Sequence, residues 1–165
     1  MAEKGFAPGS GCAGVGAGSG KKHPSVQALG EMDAVLANLD ILKSDAVEAE
    51  FLTGEKDIFK AAKFYADRGP KEIVLTHKDG VLIWANGKTY EEKFLTEKMN
   101  GRSGRGDTCL GTYVALRLIK SPAIAGIWAA ALTSMKMEKL GPFDRTIQDV
   151  EEFIRVKYPH AGHRE

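Results

Sequence analysis

The chain has 165 residues, with 23 Lys and Arg against 22 Asp and Glu, for a net charge of +1. Such a length suits one domain with a real core, and the near-neutral balance supplies no global field to attract nucleic acid or an anionic membrane. Apolar residues make up 43% and charged residues 27%, as in a soluble globular protein, and the longest mostly apolar run, AIAGIWAAALTSM at 123–135, falls short of the roughly 20 residues that a bilayer span needs.

Residues 1–25 are rich in Gly, Ala and Ser and poor in large apolar side chains. They cannot bury enough surface to offset the entropy of ordering, so a disordered leader is predicted. No run of Leu, Ile or Val marks a signal peptide. Cys12 and Cys109 supply no disulfide framework, and a reducing cytoplasm is the expected compartment.

From Val26 the character changes. Val26, Leu29, Met32, Val35, Leu36 and Leu39 recur at helical spacing. Ile41-Leu42 reads as a short buried strand, and Asp45 opens a short helix that ends at Gly54. Asp57 starts another helix, stopped by Gly69-Pro70 with the glycine left-handed. EIVLT at 72–76 and VLIWA at 81–85 are strands joined by an Asp79-Gly80 turn, and Asn86-Gly87 signals a two-residue hairpin returning through KTYEEKF. A polar, glycine-bearing loop spans Leu95 to Gly106. Helices follow over Thr108–Ile119, with Leu110, Val114 and Leu118 on one face, from Ser121-Pro122 to about Lys139, and from Thr146, with Ile147, Val150, Phe153 and Ile154 on the apolar side. Residues 159–165 read as a tail, and the H-x-x-H of His160 and His163 as solvated. Strands alternating with helices argue an α/β layered sheet, and two strongly apolar strands belong in its middle, covered on both faces.

Two glycine-rich stretches invite a phosphate. GCAGVGAGSGKK at 11–22 lacks the Ser or Thr of a Walker A loop, follows no strand and opens no helix, so flexible leader is the better reading. NGRSGRGDTC at 100–109 has the right context, because an apolar helix follows at once. The first amides of a helix lack internal partners and face outward at the positive end of its dipole. Glycines let an anion approach them, Arg102 and Arg105 add charge, and Asp107 stands in the first turn where a carboxylate can accept a hydroxyl proton. The competing reading is an ordinary loop whose Asp107 caps the helix. The pattern alone leaves both open.

The stretch NGRSGRGDTCLGTYVALRL resembles the D-T-x-G-A-G-D signature of the ribokinase-like (PfkB) carbohydrate kinases, with Gly104, Arg105, Gly106 and Asp107 falling on G-A-G-D. ILKSDAVEAEFLTG at 41–54 resembles the family's strand ending in N-x-x-E, EIVLTHKDGVLIWANGK its strand and hairpin near the nucleotide, and AAALTSMKMEKLGP its late helix beside the adenine. The matches keep the family's order over roughly Asp33 to Val156. The resemblance implies the C-terminal half of a three-layer α/β sandwich over residues 26–158, and an ATP-dependent transfer of a phosphoryl group to a sugar or polyol hydroxyl. Asp107 would be the base, and Gly104, Arg105 and Gly106 the anion hole. Thr76, Gly80 and Ser134 would contact the nucleotide, and Glu48 with Asp45 would hold Mg2+ through water. The bland reading of the latter pair, compatible with that role, is a capping box. Gly101 replaces the leading Asp of the signature, Arg105 its Ala, Asp45 the Asn, and His77 the glycine of the nucleotide turn. The family's N-terminal half is absent, with the leader in its place. A non-catalytic nucleotide-binding remnant, or half of a split kinase, is therefore the alternative. Open edges at Ile41 and Ile73–Leu75 would favour self-association into a homodimer or larger species.

Overall fold

The computed structural model describes residues 26–101 and 103–163; the leader and Arg102 lie outside the described residues. Among these, four strands and six α-helices follow one another as α1 (Val26–Leu36), β1 (Ile41–Asp45), α2 (Ala46–Thr53), α3 (Ile58–Ala66), β2 (Glu72–Thr76), β3 (Gly80–Ala85), β4 (Lys88–Lys93), α4 (Arg105–Arg117), α5 (Pro122–Met137) and α6 (Ile147–Lys157). A short 3-10 helix, Pro159–His163, ends the described chain.

The sheet runs β1-β2-β3-β4. Strands β1 and β2 are parallel, with Ile41 opposite Glu72 and Asp45 opposite Thr76, and α2 and α3 make the crossover that a parallel pair requires. The other pairs are antiparallel, and Asn86 and Gly87, both at positive φ (53° and 72°), close the β3–β4 hairpin. Side chains alternate between two cores. Ile73, Leu75 and Leu82 pack under α1, α2 and α3 with Leu36, Ala49, Ala62 and Tyr65. Val74, Val81, Ile83 and Ala85 pack under α4, α5 and α6 with Cys109, Tyr113, Ile127 and Val150. Both faces are covered, which is why Ile73–Leu75 and Val81–Ala85 are apolar without a break and show no alternation. The expected three layers of helix, sheet and helix are present.

Several local expectations differ. β2 lies between β1 and β3, so Ile73–Leu75 form no open edge; the register makes them central. α3 ends on Asp67 in right-handed geometry, and Gly69 (φ 137°) instead serves a close approach, since a Cβ there would meet the backbone of Ala37. α4 starts at Arg105, three residues before the predicted Thr108, because Gly104 takes the N-cap in the left-handed region (φ 75°). Its buried stripe is Cys109 and Tyr113, while Val114 and Leu118 face outward. Two stripes one residue apart satisfy the same periodicity, and the packing against α5 selects the one with the tyrosine. Ile147 is likewise exposed. In the C-terminal stretch, His160 Nε2 lies 2.9 Å from Oε2 of the buried Glu92.

Candidate active site

The carboxyl ends of β1 and β2 meet the N-terminus of α4 in one polar cleft of about 350 Å³, lined by Lys43, Asp45, Thr76, Gly104, Arg105, Gly106 and Asp107. The parallel register puts Asp45 beside Thr76 at that end of the sheet, the place where α/β sheets leave a crevice for ligands.

The loop before α4 is held by the end of α5. The amides of Asn100 and Gly101 donate to the Met137 carbonyl at 2.9 and 3.0 Å, and Asn100 Nδ2 donates to the Glu138 carbonyl at 2.9 Å. Lys136, almost fully buried, donates to the Ser103 carbonyl at 3.3 Å. Position 101 is glycine for a steric reason, because a Cβ there would stand 2.9 Å from the Lys139 carbonyl oxygen. So fixed, the chain turns at Gly104 and enters α4, whose first internal bond is Thr108 N–H to the Gly104 carbonyl at 2.9 Å. The amides of Arg105, Gly106 and Asp107 precede that bond, and among the described residues none has a hydrogen-bond partner. Three open donors at a helix N-terminus form an anion seat.

Asp107 sits at the third helical position, exposed toward the cleft, and its side chain caps nothing. The plain-cap reading of Asp107 therefore has no hydrogen bond behind it. Arg105 reaches across Phe94, with its guanidinium carbon 5.9 Å from the ring centroid. Lys43, which sequence reasoning passed over, completes the cationic wall. Its ammonium lies 3.7 Å from Glu48 Oε2, and a Cβ added to Gly106 would meet Lys43 Cε at 3.1 Å and Nζ at 3.2 Å. The one available signal was a lysine directly after the apolar pair Ile41-Leu42 in a short strand.

Asp45 and Glu48 form a reciprocal capping box. Asp45 Oδ1 accepts the amides of Val47 (2.8 Å) and Glu48 (2.9 Å), and Glu48 Oε2 accepts the amide of Asp45 (2.9 Å). Asp45 faces the cleft, whereas Glu48 lines the neighbouring groove. Among the described residues no group of three His, Cys, Asp or Glu side chains converges as a metal cage.

Thr76 lies in the cleft, but Gly80 and Ser134 do not. Gly80 is pressed against the Glu92 carbonyl of the adjacent strand and has no space for a Cβ. Ser134 is fully buried; its hydroxyl donates to the Ala130 carbonyl (2.6 Å) and accepts the Leu95 amide (2.9 Å), tying β4's exit to α5. His77 follows Thr76, and its amide donates to the Gly80 carbonyl at 2.9 Å. The ring is mostly buried with Nε2 unpartnered by any hydrogen bond, 3.7 Å from Glu91 Oε1. Burial holds its pKa below the usual value against the opposing pull of Glu91 and Asp79. Cys109 is sealed beneath α4, where burial pushes its thiol up to about 12 and removes it as a nucleophile.

No protein-family model and no curated relative matches the chain. Solved structures do. A pyrophosphate-dependent kinase in the ribokinase family, complexed with a pyrophosphate analogue and myo-inositol, is 38% identical over 74% of this chain and 44% of its own, with a TM-score of 0.67. A pyrophosphate-dependent myo-inositol-1 kinase, converted by substitution into a myo-inositol-3 kinase, is 36% identical over 76% of this chain and 45% of its own, also at 0.67. A ribokinase II from E. coli, in complex with ATP and Mg2+, shares the fold at 20% identity over 78% of this chain and 43% of its own, with a TM-score of 0.68. The chain thus spans a little under half the length of the kinases it matches. Its described residues have a partial ribokinase-like fold.

Proposed function

We propose that this chain carries the phosphoryl-transfer half of a kinase acting on a sugar or polyol hydroxyl. The observation that carries the reading is the convergence of three open amides, two cations and an uncapped aspartate on one polar cleft. Asp107 takes the proton of the acceptor hydroxyl as its oxygen bonds to the donor's terminal phosphorus, and the bond from that phosphorus to the bridging oxygen breaks. The amides of Arg105, Gly106 and Asp107, with Lys43 and Arg105, face the oxygens on which charge accumulates, in a site that needs little reorganisation. Asp45 and Glu48 each keep one carboxylate oxygen outside their capping box, and these two oxygens would hold a magnesium ion through water. Magnesium supplies charge neutralisation on the donor phosphates when bound.

The donor in the first reading is ATP, as in the E. coli ribokinase II complex. A second reading, inorganic pyrophosphate, is favoured by two observations. The solved kinases of 36–38% identity are pyrophosphate-dependent. The cleft-lining residues are all polar or glycine, which suits a donor made of phosphate groups alone.

Calorimetric titration with magnesium pyrophosphate and with magnesium ATP separates the donors, and phosphate transfer to myo-inositol tests the chemistry. Asp107→Asn should bind donor as the parent does and lower turnover by about 10²–10⁴-fold. Equal turnover in Asp107→Asn removes the base assignment, and no heat from either donor removes the reading.

A further inference from the structure

The end of α5 carries three charged side chains that the phosphoryl chemistry leaves aside, and two of them are matched. Glu138 is paired with Arg145 at 3.3 Å, and Lys139 with Asp144. Lys136 is different. It is 9% exposed, makes no ion pair among the described residues, and its ammonium has one hydrogen-bond partner, the Ser103 carbonyl at 3.3 Å. Lys43, by contrast, is partly solvated and has Glu48 at 3.7 Å. Taking an ammonium out of water without a counter-ion is costly. The place of Lys136 in the last turn of α5, at the negative end of the helix dipole, offsets part of that cost. The unpaired charge bears on one peptide alone, the one that joins Ser103 to Gly104, the N-cap of α4.

We propose that Lys136 is a positioning residue for the anion seat, pinning and neutralising the Ser103 carbonyl so that the turn into α4 offers a bound phosphate group amides and no bare carbonyl oxygen. The inference rests on the donor site proposed above and assigns the residue that holds it in shape. In a trans peptide the carbonyl and the following N–H point opposite ways, and no cis bond occurs among the described residues. Drawing the Ser103 oxygen toward α5 therefore turns the Gly104 N–H away from α5, and Gly104 lines the cleft. Gly104 then takes its left-handed φ of 75°, and the amides of Arg105, Gly106 and Asp107 follow without partners. The other tethers to α5 act upstream: the amides of Asn100 and Gly101 on the Met137 carbonyl fix where the loop lies and leave the Ser103 peptide unheld. A carbonyl without a cation at this spot would set the negative end of its dipole beside the donor phosphates. The ammonium cancels it, and its net charge adds to the field of Lys43 and Arg105.

The test compares the full chain with Lys136→Met, a side chain of similar length without the charge. Calorimetry reads the binding of magnesium pyrophosphate. The melting temperature and the NMR signals of the backbone amides at 100–107 are read with no ligand present. The variant should bind pyrophosphate about tenfold or more weakly. Its ligand-free melting temperature should equal or exceed the parent's, because a buried charge without a partner is gone. The amide signals of Gly104 to Asp107 should move while those of Asn100 and Gly101 stay in place. A clamp that only holds the loop together would lower affinity and melting temperature alike, so a variant that melts earlier or fails to fold overturns the proposal. Parental affinity for pyrophosphate overturns it too, as do unmoved signals at Gly104 to Asp107. The amide and melting readouts use no donor. If the parent chain itself binds no pyrophosphate, the donor reading falls by itself, and those two readouts still decide the role of Lys136.

Discussion

Glycine at position 106 leaves room for the ammonium of Lys43, and this contact shows how the cleft divides between readable and unreadable residues. Gly104, Arg105, Gly106 and Asp107 announce themselves because glycines, a cation and an acid at the start of an apolar helix form a local pattern. Lys43 stands more than sixty residues away along the chain, and nothing near it in sequence says which way its side chain reaches. Ser134 fails in the opposite sense: its local stretch looked nucleotide-facing, yet its hydroxyl is consumed by Ala130 and Leu95. His77 yields a prediction at this scale. The unfolded imidazole titrates near 6.5, and burial keeps the folded one lower. Below 6.5 the unfolded chain takes up a proton that the folded chain resists, so the ring's contribution is whole above 6.5 and is lost as pH falls through the folded value. Urea midpoints measured on both sides of 6.5 should decline on the acid side, and His77→Gln should flatten that decline. An unchanged acid limb in the variant counts against the assignment.

At the level of the elements, α4 is clamped at both ends. Its start is set by the loop bonds to Met137 and Glu138. Near its end Tyr113 Oη donates to Glu72 Oε2 at 2.6 Å, and Arg117 donates from Nε at 3.0 and 3.1 Å and from Nη2 at 2.7 Å. Burial pushes the Glu72 carboxyl up, but the bonds from Arg117 and Tyr113 outweigh it and hold the pKa below the usual value. Arg117→Met strands a half-buried carboxylate and should cost about 2–3 kcal/mol in chemical denaturation. Adding Glu72→Gln should recover part of that loss, because the unpaired charge is gone; a double variant no better than the single would place the cost in packing alone. The strands, the hairpin and most helix ends were legible from turn residues and caps. Helical spacing puts Leu110, Val114 and Leu118 on one face, and Val114 and Leu118 prove exposed, because periodicity fixes a spacing and leaves the phase open.

Across the whole molecule, the cleft exists only where α4 meets the ends of a parallel strand pair, so donor binding should be linked to global folding. A ligand that binds the folded chain alone stabilises it by about 2.7 kcal/mol at a hundredfold excess over its Kd. Magnesium pyrophosphate should raise the melting temperature of the parent and raise that of Lys43→Met less at the same concentration. Equal shifts would remove Lys43 from the donor site. The sequence by itself determined the layered α/β architecture, the order of its elements and the helix start that can seat an anion, since those follow from short-range patterns of burial, turns and caps. Only the tertiary structure decided that, among the described residues, β2 is central and β1 an edge, that Lys43 lines the cleft at the start of α4 while Ser134 does not, and that an apolar trough runs beside β1. Each of these depends on contacts between residues distant in the chain, and local periodicity carries no information about which distant surfaces meet.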